Sequence, residues 1–214
     1  MSFFYQNRQE QLYLYLSKNN PYAVHLHRQL ELIYVLSGST TVTVEQQDFL
    51  LTPGQGVLVF PNQMHGLKHV EPGLNLLCIF EPDFCHSFRQ FFQNKKPARN
   101  DFTVSSLSEH SRIALQGLKT LAAAMEKDRP TPSDVQVYAE GYLTLLLADL
   151  LPSLPLQVRK NTDDLELEQR LLLYLDAHYT EELSLESLSK EFGVSRFVLS
   201  RIFTEKLHTT FPDY

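Results

Sequence analysis

The stretch Leu183-Ser-Leu-Glu-Ser-Leu-Ser-Lys-Glu-Phe-Gly193-Val-Ser-Arg-Phe-Val-Leu-Ser-Arg-Ile-Phe203 decides how the chain is organised. Ser184 is a good N-cap, and Leu185 and Leu188 give a first helix its buried face. Ser189 is small, which lets a second helix approach closely. Gly193 follows four residues later and supplies the positive backbone angle of a tight turn. Val194 is expected under that turn, and Ser195 caps the next helix. There Leu199, Ile202 and Phe203 share one face at helical spacing. Arg196, Phe197, Ser200 and Arg201 are left facing outward, with Thr204 at the margin. The prediction is helix, turn, helix, a layout in which the second helix can enter the DNA major groove. A generic helical hairpin with a Gly corner shares this pattern.

Local charge favours the first of those readings. The formal net charge of −6 does not advertise nucleic-acid binding, but the position of the basic residues matters more. Glu181, Glu182, Glu186 and Glu191 stand against Lys190 in and before the first helix. Arg196, Arg201 and Lys206 stand against Glu205 in the second. An acidic helix therefore precedes a basic one. Ahead of both, Leu167, Leu171, Leu172, Tyr174, Leu175 and His178 predict another helix.

Upstream the hydrophobic period changes twice. From about Tyr22 to Phe84 short apolar runs alternate with turns: Leu32–Leu36, Thr40–Glu45, Phe49–Leu51, Val57–Phe60 and Leu74–Phe80. Several such runs indicate a β-sandwich or barrel. Beyond Asn94–Asp101, Leu107, Ala114, Leu118, Leu121 and Met125 recur at helical spacing, with Ser106 or Ser108 as N-cap. Arg129–Ser133 breaks that helix. A second runs from near Ser133 to Leu151, making an antiparallel hairpin. The run Leu143–Leu151 is apolar on nearly every side, so it serves as a core helix or a dimer face. Phe3, Phe4, Tyr5, Tyr13 and Tyr15 form an aromatic N-terminal arm, read as strand and core in preference to a lid over the barrel. The fold class is α+β, divided as residues 1–155, a linker at 156–164, and an all-α segment at 165–214.

Composition excludes several classes. The apolar fraction of 43% is ordinary for a globular protein. No apolar run is long enough to span a bilayer, and the N-terminus lacks signal-peptide order. Cys78 and Cys85 are expected as free buried thiols. A cytoplasmic protein with no membrane partner is the expectation.

A second constellation begins at His25-Leu-His27-Arg-Gln-Leu-Glu31 and continues to Gly38. His25 and His27, two apart, share a face if they lie on a strand. Gly54-Gln-Gly-Val-Leu-Val-Phe-Pro61-Asn-Gln-Met-His65 adds a third histidine after a Pro turn. Together these resemble the two cupin motifs of a small β-barrel whose interior can hold a metal through two His, a Glu and a third His. Asn19 stands where a Gly is expected, and the second motif is one residue short between Pro61 and His65. Three readings stay open for His25, His27, Glu31 and His65. They hold a divalent transition metal (zinc, iron, nickel or manganese), they line an effector pocket with no metal, or they only bond one another. No cofactor is certain.

A cupin-like barrel, a helical hairpin, a linker and this helix-turn-helix resemble the AraC/XylS family of bacterial transcription regulators. Leu183 through Lys206, with Phe211 and Tyr214, carries the strongest match, and Leu167–Tyr179 also fits. His208 departs from the family's usual Gly. The resemblance implies a sensor barrel for a small molecule, often a sugar, and a homodimer through the hairpin. It implies promoter or operator DNA as partner, read by Arg196, Phe197, Ser200 and Arg201. It also implies two helix-turn-helix units joined by a long helix, and the expectation is that residues 165–214 hold the first unit of an incomplete DNA-binding domain, with Phe211-Pro-Asp-Tyr214 resembling the start of the joining helix. The alternative class is a metal-dependent cupin isomerase or oxygenase with structural C-terminal helices. No separate general acid or base stands out for it.

Overall fold

The computed structural model describes residues 4–6, 9–18, 21–127, 132–158, 167–206 and 210–213. The N-terminal strands are β1 (Phe4–Tyr5), β2 (Leu12–Lys18), β3 (Tyr22–Leu26), β4 (Leu30–Val44), β5 (Gln47–Leu51), β6 (Gln55–Val59) and β7 (His65–Phe80). Then come α1 (Arg89–Asn94), β8 (Lys95–Pro97), β9 (Asp101–Thr103), α2 (Glu109–Lys127) and α3 (Pro132–Ser153). β10 (Leu156–Val158), α4 (Leu167–Ala177), α5 (Leu185–Phe192) and α6 (Arg196–Arg201) complete the order. The α+β class and the cupin-like sheet are as expected.

The frame is one long antiparallel ribbon of β4 and β7, running from Leu30 opposite Phe80 to Val44 opposite His65. β2 and β6 flank one half of it, and β3 and β5 flank the other. The register shifts where Gly38 approaches Gly73. Gly38 has φ 72°, and a Cβ on Gly73 would sit 1.9 Å from the Ser37 carbonyl oxygen. Two glycines thus let the strands bend at close approach. The pleat sends Leu30, Leu32, Leu76, Cys78 and Phe80 to a core shared with Ala114, Leu118, Leu143 and Leu147 of the hairpin. Ile33, Val35, Val42, Val57, Val59 and Leu77 form a separate core on the other face. Both faces are covered, which is why these strands read as unbroken apolar runs.

The helical hairpin forms, and α2 starts directly after Ser108, the later of the two candidate caps. Leu107 is buried ahead of α2, after a 3-10 turn at Val104–Ser106. The Asp149 carboxylate of α3 accepts the Ser108 N–H at 2.6 Å and the Ser111 hydroxyl at 2.7 Å. One helix therefore covers open donors at the start of the other. The expected linker at 156–164 is corrected at its head. Leu156–Val158 pairs antiparallel with Lys95–Pro97, because the prolines that end α3 leave the next residues free to extend. Residues 159–164, like Phe3, Asn19, His208 and Tyr214, lie outside the described residues. Tyr5, Tyr13 and Tyr15 lie on strands, half-buried, while Phe4 is partly exposed. Cys78 and Cys85 are free and buried, and burial pushes the Cys85 thiol up to about 11.

α4, α5 and α6 share a core of Leu171, Leu175, Leu188, Leu199, Ile202 and Phe203. α4 also seats this unit on the sheet. Leu172 packs with Leu26, and Tyr5, Val24 and Met64 surround them. Buried Gln169 donates from Nε2 to the Glu45 carboxylate at 3.2 Å and to the Asn62 carbonyl at 3.2 Å. Glu45 (φ 55°) and Asn62 (φ 64°) are the non-glycine residues with left-handed backbone among those described. Among the described residues no helix is long and apolar enough to cross a membrane.

Candidate functional site

β3, the turn after it, β4 and β7 bring His25, His27, Glu31 and His65 together. All four are buried, at no more than 2% exposure, and their ligand atoms lie within 4.8 Å of one another. Register explains the convergence: His25 sits opposite His65 across the β3–β7 pairing. Glu31 points from β4 to the face opposite Leu30 and Leu32.

Backbone carbonyls set the imidazoles. Nδ1 of His25 bonds Ala23 O at 3.0 Å, that of His27 bonds Gln29 O at 3.1 Å, and that of His65 bonds Gln63 O at 2.9 Å. A carbonyl only accepts, so each Nδ1 carries the proton and each Nε2 is left as the inward atom. Nε2 of His27 and of His65 both approach Glu31 Oε2, at 3.1 and 3.0 Å. A neutral ring has one N–H, already given to a carbonyl. Both contacts are therefore favourable only if a proton or a metal cation sits at each Nε2. Nε2 of His25 is buried with no hydrogen-bond partner, so one ligand atom is unsatisfied.

The electrostatics agree with that arrangement. Burial, then the neighbouring His65, lowers His25 from 6.5 to about 3, so its ring is neutral with a free lone pair. Burial alone would raise the Glu31 carboxyl, but hydrogen bonds from His27 and His65 outweigh it and hold it well below its ordinary value. Three imidazoles and one carboxylate suit zinc, iron, nickel or manganese, and the residues fit such an ion.

Beside the cluster lies a cavity of about 350 Å³, lined by Tyr15, Ser17, Tyr22, His25 and Glu31 among others. Sequence reasoning missed the three hydroxyl residues, since nothing in their spacing ties them to the histidines. It also missed Gln63 and Asn100. Gln63 Oε1 accepts the Phe60 N–H at 2.8 Å and the Asn100 amide at 2.7 Å, fixing the turn that delivers His65.

The second predicted site, on α5 and α6, has the expected build. Ser184 Oγ accepts the Ser187 N–H at 3.0 Å, and Ser187 Oγ accepts the Ser184 N–H at 3.0 Å. Gly193 has φ 65°, and the Ser195 hydroxyl accepts the Val198 N–H at 3.3 Å. Ser189 does more than stay small: its hydroxyl donates to the Val194 carbonyl at 2.5 Å and so fastens the turn. Arg196, Phe197, Ser200 and Arg201 are all exposed, Phe197 at 71%. Arg201 is held by Glu205 through two bonds of 2.9 and 2.8 Å, whereas Arg196 has no carboxylate partner among the described residues. The Thr204 hydroxyl returns to the Ser200 carbonyl at 3.0 Å. After Arg201 the backbone continues as a π-type turn, Ile202–Lys206.

Residues 18–80, which include all four members of the buried cluster, match the family model described as Cupin domain. No curated protein matches the chain. Among solved structures, an RmlC-like cupin from Shewanella frigidimarina is 26% identical over 33% of this chain and 66% of its own, with a TM-score of 0.31. The chain is also similar to the AraC-like transcriptional activator CuxR, at 10% identity over 83% of this chain and 61% of that one, TM-score 0.45. ToxT from Vibrio cholerae, with an unsaturated fatty acid bound, is 13% identical over 97% of this chain and 78% of its own, TM-score 0.47. The chain thus spans just under two thirds of the first two and about four fifths of ToxT. Identities and scores this low do not assign an activity, since one architecture serves many functions.

Proposed function

We propose that the chain is a ligand-responsive, sequence-specific DNA-binding regulator of transcription, acting in the cytoplasm. One observation carries the reading. An exposed helix, capped at its start by Ser195 and carrying Arg196, Phe197, Ser200 and Arg201 outward, belongs to a unit that α4 seats on the sheet holding the buried His–Glu cluster. Arg can bond guanine edges or phosphate, and Ser can serve either. The cavity beside His25 is lined by the hydroxyl residues Tyr15, Ser17 and Tyr22, by His25 and Glu31, and by an apolar wall of Pro21, Leu67 and Leu77, with no Lys or Arg among the described residues. That lining favours a small hydroxyl-bearing metabolite such as a sugar.

A short path joins the two regions. The Asn62 N–H donates to the His27 carbonyl at 2.8 Å, and the Asn62 carbonyl accepts from Gln169 of α4. A ligand that bound one arrangement of this path better than another would shift the DNA-binding unit with it. The exposed apolar residues Val137, Tyr138 and Leu145 of α3 support a homodimer through the hairpin.

Selection of bound sequences from a random DNA pool, with and without candidate metabolites, tests the proposal. An enriched motif is expected. Recovery of no motif under any condition would overturn it. Sedimentation of the chain tests the dimer.

The unsatisfied His25 Nε2 favours a second reading, a metal-dependent cupin enzyme. His25, His27, Glu31 and His65 would hold the ion, which supplies open coordination positions to a ligand oxygen. Elemental analysis with and without chelator tests whether metal is bound stoichiometrically. A regulator can also carry a metal, so turnover of a substrate is what would separate the two.

A further inference from the structure

A second cavity, of about 760 Å³, lies between the N-terminal strand and the helical unit. Four aromatic rings line it, those of Phe4, Tyr5, Tyr179 and Phe211, together with the carboxylates of Asp176 and Glu181. Among the described residues no lysine or arginine lines it. Arg28, which also acts on Tyr5, is engaged by Glu81 at 3.1 Å. Leu175, Leu183 and Pro212 complete the apolar wall among the described residues.

This composition selects by charge. Aromatic faces carry negative quadrupoles and attract cations, most strongly where water is partly excluded. The two carboxylates, with no cationic side chain beside them in the wall among the described residues, add to the same field. An anionic ligand meets repulsion here, and a neutral one gains only apolar contact. The size is that of a small-molecule site. We propose that this cleft binds an organic cation, an ammonium or amine on a compact apolar or aromatic body.

The position of the cleft gives such a ligand leverage. Tyr5 of β1 and Asp176 of α4 both line the cleft, and the Asp176 carboxylate acts on the Tyr5 hydroxyl. Phe4 stacks on His25 with ring centroids 5.5 Å apart, so one ring borders both this cleft and the buried cluster. On the far side Phe211 packs edge-on to Phe203 at 5.3 Å, and Phe203 sits in the core beneath α6. An occupant touches the sheet and the helical unit at once.

Three probes of one size separate charge from shape: 2-phenylethylammonium, 2-phenylethanol and phenylacetate. Each is titrated into the full chain, followed by calorimetry and by the ring resonances of Tyr5 and Tyr179. The ammonium should bind at least about tenfold more tightly than the alcohol, with phenylacetate weakest. Asp176→Asn with Glu181→Gln should bring the ammonium down to the affinity of the alcohol. Tyr179→Ala should weaken it several-fold. Equal binding of alcohol or phenylacetate and ammonium, an unchanged double variant, or no binding below roughly 10 mM would each overturn the proposal. Should the double variant not fold, Glu181→Gln alone, on an exposed side chain, carries the test with an expected loss of about threefold. DNA is absent from the assay, so its outcome is independent of the regulatory reading.

Discussion

The buried His–Glu cluster and the exposed face of α6 use polar side chains in opposite ways. In the cluster every group but the His25 Nε2 leans on another. Three Nδ1 atoms depend on carbonyls, two Nε2 atoms depend on one Glu31 oxygen, and none of these residues is more than 2% exposed. On α6 Arg196 and Ser200 face solvent, Arg201 faces it paired with Glu205, and the helix stands on Leu199, Ile202 and Phe203 below them. Buried polar groups are costly to leave unpaired, whereas exposed ones cost almost nothing to replace. Substitutions in the first region should therefore register as stability, and in the second as binding alone.

The sharpest way to break that contrast is Glu31→Ala. It strips the shared acceptor from two buried imidazoles, and a loss of about 3–5 kcal/mol in chemical denaturation is expected. A loss under about 1 kcal/mol would mean the cluster is wetter than its burial indicates. Leu199→Ala should cost about 3 kcal/mol, read as faster hydrogen exchange in α5 and α6 while the sheet keeps its protection. If the sheet loosens equally, the two regions are one cooperative unit.

Acid sharpens the contrast from the other side. His25 titrates at about 3 in the folded chain and at its ordinary 6.5 when unfolded, so the folded state binds fewer protons. Its contribution is complete above about pH 6.5 and is lost as the pH falls towards 3. The urea midpoint of metal-free protein should fall between about pH 7 and pH 4.

Gln169→Ala removes the donor shared by Glu45 and Asn62 and should cost about 1–2 kcal/mol, seen as faster exchange in α4. The smallest effects on stability belong to the arginines. Arg196→Ala should leave the melting temperature within error, weaken DNA binding by about 1 kcal/mol, and lower the salt slope by about one. Arg201→Ala should do less, because Glu205 already engages that guanidinium. Equal losses from the two would show that DNA displaces Glu205.

The cluster and the helix-turn-helix were legible in the sequence for different reasons. α5 and α6 announce themselves locally, since caps, Gly193 and helical spacing all lie within one short stretch. His25, His27, Glu31 and His65 were legible through spacing and resemblance, and the pleat then fixed their convergence. What stayed hidden depends on residues distant in sequence. Asp149 covers the start of α2, Gln169 grips two turns of the sheet, and Tyr15 and Tyr22 reach the cavity from separate strands. β10 was hidden because its partner, β8, lies on the far side of the hairpin. The Arg201–Glu205 pairing was not specified, because a Glu four residues on reads equally well as a solvated neighbour.

The ribbon of β4 and β7 also implies an order of assembly. Its pairs are nested, from Val44 opposite His65 outward to Leu30 opposite Phe80, so each closure shortens the loop that the next must close. Glu31 and His65 belong to this zipper. His25 and His27 arrive on or just after β3, which lies outside the nest and adds to the free edge of β7. The last two ligands therefore join a scaffold already in place. An ion held by this cluster would meet Glu31 and His65 first, and all four side chains only when β3 docks.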